Sequence, residues 1–240
     1  MLTKIILFSL LPALAMLASG SLALWKKPGE TLRGIILHFA AGVVFSIVAV
    51  EILPDVIKKH LPLEVLLGFG AGIGLMFLIE KLTKRPEGIA AAPGKEQPSS
   101  GFLITLGVDI IIDALLLGIG FAAGAEQGVL LSVALAVEVV ALALAMATQC
   151  LRLGWARKKA MLLLAAACLL FLIVAVLGAT LLKNLSQEWL ETLLSFGLAA
   201  LLYLVTEELL VEAHEIKENS YMTLSFFVGF LIFVMVGMYI

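Results

Sequence analysis

The chain has 240 residues, of which 62% are hydrophobic and only 14% are charged, and its mean hydropathy is +1.13. A soluble domain is nearer to half apolar and a quarter charged, so this composition excludes an ordinary soluble domain and indicates an integral membrane protein. The long runs of Leu, Ala, Val and Gly favour transmembrane helices over a β-barrel, because no series of alternating ten-residue segments is present.

Eight apolar runs have the length of about 20 residues that a helix needs to cross a bilayer. They predict spans one to eight at 5–24, 35–57, 63–82, 102–123, 128–150, 160–182, 190–212 and 221–240. The first run has features of a secretory signal, but its length and the following Lys26 and Lys27 favour an uncleaved helix. Residues 84–100 contain three prolines and mixed charge, which predicts a flexible cytoplasmic loop. The chain is therefore divided into 1–83, 84–100, 101–151 with spans four and five, and 152–240.

The basic residues predict the orientation of these spans. Most of the sixteen Lys and Arg residues lie on the side of the loops after spans one, three, five and seven. Only Lys4, Lys58, Lys59 and Lys183 lie on the other side. Because basic residues concentrate on the cytoplasmic side, we expect both termini to face outward. We expect a multi-pass protein that is located in the cell (inner) membrane.

Acidic residues inside the apolar runs are the main functional signal. A carboxylate at the bilayer centre costs about 2.5–3.5 kcal/mol, and the runs contain no Lys or Arg to neutralise these charges. The acids are therefore protonated, reached by water, or arranged around a cation. The last alternative makes them candidate metal ligands: Glu51, Asp109, Asp113, Glu138, Glu207 and Glu208.

Three of these acids are expected to converge at mid-depth. Asp109 and Asp113 are four residues apart and share one face of span four, and Gly120 lies on the same face. Glu138 lies near the middle of span five, on a face rich in alanine that allows close packing. Because a short connection joins spans four and five, we expect them to be neighbours. Isolated protonated acids that hydrogen-bond to neighbouring helices are the alternative.

The remaining acids give weaker signals. Glu51 lies one turn before Asp55, and Pro54 frees a backbone carbonyl beside it. Glu207 and Glu208 are adjacent, so one is expected to face the site and the other a water-filled vestibule. We expect Tyr203 to be the hydrogen-bond partner of Glu207, and we interpret the acids near span ends as solvated: Asp55, Glu64, Glu212, Glu215 and Glu218.

The histidines and cysteines are not expected to bind metal. His38, His60 and His214 lie near span ends, where interfacial positions are expected. Cys150 and Cys168 lie in apolar surroundings without a CxxC spacing, which indicates packing residues.

The chain resembles the ZIP family of zinc- and iron-regulated permeases. The resemblance rests on eight spans, on span two from Phe39 to Glu51-Ile-Leu-Pro-Asp55, and on span seven from Tyr203 to Glu212. Span four carries Asp109-Ile-Ile-Ile-Asp113 where that family has His-(Asn/Ser)-x-x-(Glu/Asp). In span five, Glu138 and Leu142 stand where the family has His and Glu. Ile110 and Leu142 thus replace expected ligands, and carboxylates replace imidazoles.

The resemblance also implies a fold and a mechanism. It implies two inverted three-helix groups flanking spans four and five, a 3+2+3 arrangement with both termini outside. It further implies a homodimer in which spans one, four, five and six move against spans two, three, seven and eight. Glu208 takes the place of a metal-binding acid in span seven.

The leading hypothesis is transport of a divalent metal ion towards the cytoplasm. Ligation by oxygen alone favours Mn²⁺, Mg²⁺ or Fe²⁺ over Zn²⁺. Which of these four ions is the substrate stays open. A ZIP-like regulatory or structural protein with a degenerate metal site is the alternative, and proton-coupled carriage of an organic cation is a third. We expect no nucleic-acid partner and no enzymatic activity, because no Ser/His/Asp set, phosphate loop or dinucleotide motif is present.

Overall fold

The computed structural model describes residues 2–83, 100–217 and 219–239. These residues form helices and, within those ranges, no strand. Eight helices are long and apolar enough to cross a membrane, so the chain is a multi-pass membrane protein, as predicted. They are α1 (Leu2–Trp25), α2 (Glu30–Lys58), α3 (Pro62–Thr83), α4 (Ser100–Ala123), α5 (Ala125–Arg152), α6 (Arg157–Leu182), α7 (Gln187–His214) and α8 (Ser220–Gly237).

The helices match the predicted spans in number and order. Several begin earlier than predicted, for example α2 at Glu30 and α6 at Arg157, because polar residues continue the helix beyond the apolar run. The predicted cytoplasmic loop 84–100 falls almost entirely on residues outside the described part of the chain. Its last residue, Ser100, is the first residue of α4. Glu218 also lies outside the described residues.

Helices α2 and α7 both contain a π-helical segment. It covers Val48–Ile52 in α2 and Leu204–Leu209 in α7. A π-helical turn inserts one extra residue into the helix and changes which side chains share a face, and such turns are frequent at functional sites. Glu51 lies in the first segment, and Glu207 and Glu208 lie in the second.

The closest contacts among the eight helices fall into two groups. Helix α2 packs along α8, and α3 packs along α7. Helix α1 packs against α5 and α6, and α4 packs against α6 and α5, which confirms that α4 and α5 are neighbours. The backbone of α4 approaches that of α6 closely at Gly118, where a side-chain carbon would collide with the backbone of Gly178 and Ala179.

Matching contacts relate α2 and α3 to α7 and α8. A Cβ atom at Gly229 of α8 would collide with the carbonyl oxygen of Phe39 in α2. In the equivalent contact, a Cβ atom added at Gly72 of α3 would lie 2.7 Å from the carbonyl oxygen of Phe196 in α7. Phe39 and Phe196, like Gly72 and Gly229, are 157 positions apart.

The same separation of 157 positions relates Glu51 to Glu208, and both lie in π-helical segments. Helices α2 and α7 are antiparallel, because Arg33 near the start of α2 contacts Glu212 near the end of α7. Lys59, just after α2, contacts Glu191 near the start of α7. The repeated pair of helices is therefore inverted, and its two copies follow one register.

Candidate cation site

A cavity of about 60 Å³ lies between α2, α4, α5 and α7. Four acidic residues line it, one from α4, one from α5 and two from α7, and the other lining residues are apolar. A single water needs about 10–15 Å³ by this measure of volume, so the cavity has room for several water molecules or for an ion that keeps part of its hydration shell. The four acids are Asp109, Glu138, Glu208 and Glu212.

Helix packing brings Glu138 and Asp109 to the cavity wall. Glu138 is only 3% exposed, whereas Asp109 is half-buried. Small residues on the same face of α5, Ala141 and Ala145, line the cavity beside them. Because alanine fills little space there, α5 approaches its neighbours closely while the acidic side chains keep open volume in front of them.

Asp113 does not form part of this wall. Its side chain is 0% exposed and does not line the cavity. Its carboxyl group lies close enough to the Glu138 carboxyl group for the two charges to interact. Neither oxygen of Asp113, nor Oε2 of Glu138, receives a hydrogen bond from an N–H or O–H group of the described residues.

Two neighbouring carboxylates accept hydrogen bonds but donate none, so the pair of charges needs a proton or a nearby cation. Glu208 adds to this demand. Its charge lies close enough to Asp109, Asp113 and Glu138 to repel each of them. The structure thus brings together four of the six predicted acids, although only three of those four face the cavity.

Glu207 and Glu51 lie apart from this group. Glu207 is exposed, whereas its neighbour Glu208 lines the cavity, which matches the expectation that the two adjacent acids point to different surroundings. Glu51 is half-buried, and the acids closest to it in charge interaction are Glu126 and Asp55. Glu51 does not line the cavity.

The predicted partner of Tyr203 is wrong. The Tyr203 hydroxyl donates a hydrogen bond to Oε2 of Glu80 in α3 at 2.6 Å, not to Glu207. Helix α3 packs along α7 and brings Glu80 to this tyrosine, and the Glu80 charge also acts on Glu208. Glu80 lies inside span three, close to its end. Its position in the sequence therefore did not distinguish it from an acid at the membrane interface.

Glu212 is also not a simply solvated residue. One oxygen of Glu212 forms an ion pair with the guanidinium group of Arg33, and the residue lines the cavity at the same time. Both side chains are partly exposed, at 24% for Arg33 and 30% for Glu212. We call this pair the cavity end of the α2–α7 contact.

The other end of the α2–α7 contact holds a second ion pair. The ammonium group of Lys59 lies 3.0 Å from Oε2 of Glu191 and 3.6 Å from Oδ2 of Asp55. Glu191 is 0% exposed, although its position at the edge of span seven gave no sign of burial. We call Asp55, Lys59 and Glu191 the opposite end, and none of the three lines the cavity.

The histidines and cysteines differ in how well their positions were predicted. His38 is buried, not interfacial, and its Nδ1 hydrogen-bonds to the carbonyl oxygen of Gly34. The other two histidines, His60 and His214, are exposed. Cys150 and Cys168 are buried thiols, in agreement with a packing role.

Within residues 2–83, 100–217 and 219–239, no group of three or more His, Cys, Asp or Glu side chains is arranged to hold a metal ion directly. The acids therefore line an open cavity rather than form a closed coordination shell. Such a cavity suits a hard divalent cation that keeps several waters and uses one or two carboxylates, as Mg²⁺ commonly does.

No protein-family model matches the chain, and no curated protein matches it in sequence.

Proposed function

We propose that this chain moves a hydrated divalent metal ion across the membrane through the cavity between α2, α4, α5 and α7. The observation that carries the proposal is the buried carboxyl pair of Asp113 and Glu138, which lacks hydrogen-bond donors among the described residues and lies at the wall of an acidic cavity. A cation in the cavity would offset the repulsion among Asp109, Glu138 and Glu208 that the protein itself leaves uncompensated.

The chemistry of the lining favours Mn²⁺, Mg²⁺ or Fe²⁺ over Zn²⁺. The cavity presents carboxylate oxygens, whereas Zn²⁺ prefers imidazole and thiolate ligands. Its volume leaves space for water on the ion, and ions of this class retain water more readily than they accept a dry protein shell. Asp109, Glu138 and Glu208 are the proposed direct or water-mediated ligands, and Asp113 supports Glu138.

The inverted register of α2–α3 and α7–α8 supports a transporter. Inverted repeats related by an axis in the membrane plane occur in many secondary transporters, with the substrate site near the midplane between the repeats. We extend this relation to a 3+2+3 arrangement with both termini outside the cytoplasm. We further propose uptake towards the cytoplasm, by movement of α1, α4, α5 and α6 against the other helices. We also propose that the chain forms a homodimer in the cell (inner) membrane and belongs to the ZIP family.

Uptake into proteoliposomes tests this function. We expect the wild-type chain to accumulate Mn²⁺, and we expect Glu138→Gln and Asp109→Asn to reduce initial uptake at least tenfold, because each removes a charge from the cavity wall. Glu188→Gln is the matched control, since Glu188 is an exposed acid at the start of α7. Equal uptake by the wild type and Glu138→Gln would contradict the proposal.

A non-transporting regulatory or structural role is the second candidate. The observation that favours it is the absence, within the described ranges, of a group of three metal-binding side chains. A binder gains about 2.7 kcal/mol of stability at a ligand concentration one hundred times its dissociation constant. Thermal unfolding that Mn²⁺, Mg²⁺ and Zn²⁺ all leave unchanged, together with no uptake, would support this second role.

A further inference from the structure

We infer that Arg33 is a built-in competitor of the transported cation, which weakens cation binding in the cavity by occupying Glu212. This inference rests on the proposed function and adds to it a residue that controls the release of the ion. Its basis is that Glu212 does two things at once. It lines the cavity, and it forms the ion pair with Arg33.

The cavity has an uneven distribution of charge along α7. Glu208 and Glu212 both line it and are four residues apart, so they lie on neighbouring turns of one helix face. At the Glu208 level, Asp109 and Glu138 add negative charge. At the Glu212 level, the Arg33 guanidinium adds a positive charge. A cation is therefore attracted to the first level and meets a fixed positive charge at the second.

Arg33 is suited to this role because an arginine stays charged under all physiological conditions. Its competition with a metal ion for Glu212 is thus permanent. The Nε atom of Arg33 is buried and has no hydrogen-bond partner among the described residues, whereas Nη2 forms the ion pair with Glu212. A side chain held in this way can leave Glu212 when a cation arrives and return when the cation departs.

Release requires such a weakening. Conduction through a site needs binding that is favourable enough for entry but weak enough for departure. Four carboxylates around one small cavity, without an opposing charge, would retain a divalent ion. Arg33 neutralises one of the four and repels the ion from the end of the cavity at which it stands. The helix pair α2–α7 thus carries its own counter-charge for the acidic site.

Equilibrium binding of Mn²⁺ to the purified full chain, measured by isothermal titration calorimetry, tests the inference. Arg33→Gln should lower the dissociation constant about tenfold, which corresponds to about 1.4 kcal/mol. Arg33→Lys keeps the positive charge and should bind Mn²⁺ within about threefold of the wild type. A merely structural role for Arg33 would not produce tighter binding on its removal.

Two further variants test whether Arg33 affects Mn²⁺ binding through Glu212 or through its charge alone. Lys217→Gln removes a positive charge from an exposed residue three positions after the end of α7, and it should leave the dissociation constant within about twofold. In a Glu212→Gln background, Arg33→Gln should have a much smaller effect than in the wild type, because the acid for which Arg33 competes has been removed.

The outcomes separate the two proposals. If the wild type binds Mn²⁺ and Arg33→Gln binds no tighter, the role of Arg33 is wrong while the proposed function stands. An equal effect of Lys217→Gln would also overturn the role of Arg33, since it would indicate general surface electrostatics. If neither the wild type nor Arg33→Gln binds Mn²⁺, the proposed function fails and the role of Arg33 fails with it.

Discussion

Helices α2 and α7 meet at two ends that hold the same kind of ion pair in different surroundings. At the cavity end, Arg33 and Glu212 are both partly exposed and the acid lines the cavity. At the opposite end, Lys59 faces Glu191, which is 0% exposed. The comparison shows that ion pairs at the two ends of one antiparallel helix contact can hold the helices together at one end and border a site at the other.

The surroundings decide what each pair contributes. A partly exposed pair is screened by water and adds little stability, which leaves it able to break and form again. A buried acid that loses its only cation is costly, because the remaining charge is surrounded by apolar groups. We therefore assign stability to the opposite end and exchange with a cation to the cavity end.

Loss of the buried pair should have the largest effect on stability. Lys59→Ala leaves Glu191 charged and buried, and should lower the free energy of unfolding by about 3–5 kcal/mol. Denaturation in mixed detergent micelles measures this change. The double variant Lys59→Leu/Glu191→Leu should recover most of the loss, because apolar residues of similar volume replace the whole pair. No recovery in the double variant would show that Lys59 stabilises the fold by another route.

The inverted register that relates α2 and α3 to α7 and α8 should show in the glycines at which these helices pack. Gly72→Ala in α3 places a Cβ 2.7 Å from the carbonyl oxygen of Phe196, and should cost about 1–3 kcal/mol through overpacking. Gly229→Ala in α8, at the matching position, should cost a similar amount. Gly74→Ala is the control, since an added Cβ meets nothing within 4 Å there, and alanine should raise helix stability by up to about 1 kcal/mol. Equal effects at Gly72 and Gly74 would contradict the close packing of α3 on α7.

The buried acids Asp113 and Glu138 should respond to an added hydrogen-bond donor. Asp113→Asn removes one negative charge and supplies N–H groups to the Glu138 carboxylate. The variant should raise the free energy of unfolding, without metal, by about 1 kcal/mol or more, because it satisfies a buried acceptor. Glu188→Gln, the exposed control, should change stability by no more than about 0.5 kcal/mol. Destabilisation by Asp113→Asn would indicate that Asp113 already has a stabilising partner.

Loss of the exposed pair should have the smallest effect on stability. Arg33→Gln should lower the free energy of unfolding by about 1 kcal/mol or less, since the ion pair is partly solvated. The same denaturation experiment that is used for Lys59 measures it. A loss as large as that for Lys59→Ala would remove the distinction between the cavity end and the opposite end.

The sequence predicted the helices better than the contacts between them. Hydropathy located eight spans because a bilayer requires about 20 apolar residues in each, and the short connection at Gly124 correctly placed Asp109 and Glu138 on neighbouring helices. The partners of Arg33 and Tyr203 were not predictable in this way. These hydrogen bonds join residues 179 and 123 positions apart, and only the packing of α7 on α2 and α3 brings them together.

The distribution of the acids within the site also depended on tertiary packing. The spacing of four residues placed Asp109 and Asp113 on one helix face, yet Asp109 lines the cavity and Asp113 is fully buried outside it. The exposure of a side chain on such a face is decided by how far the neighbouring helix covers it, which periodicity alone does not specify. Glu191 was missed for the same reason, because its burial depends on the packing of α7 against neighbouring helices.

Anomalous diffraction from crystals grown with Mn²⁺ tests the central claim most directly. The account predicts an anomalous peak inside the cavity, within direct or water-mediated reach of Asp109, Glu138 and Glu208, and its loss in Glu138→Gln crystals. Crystals that hold Mn²⁺ only at exposed acids, with the cavity empty at saturating concentration, would contradict it.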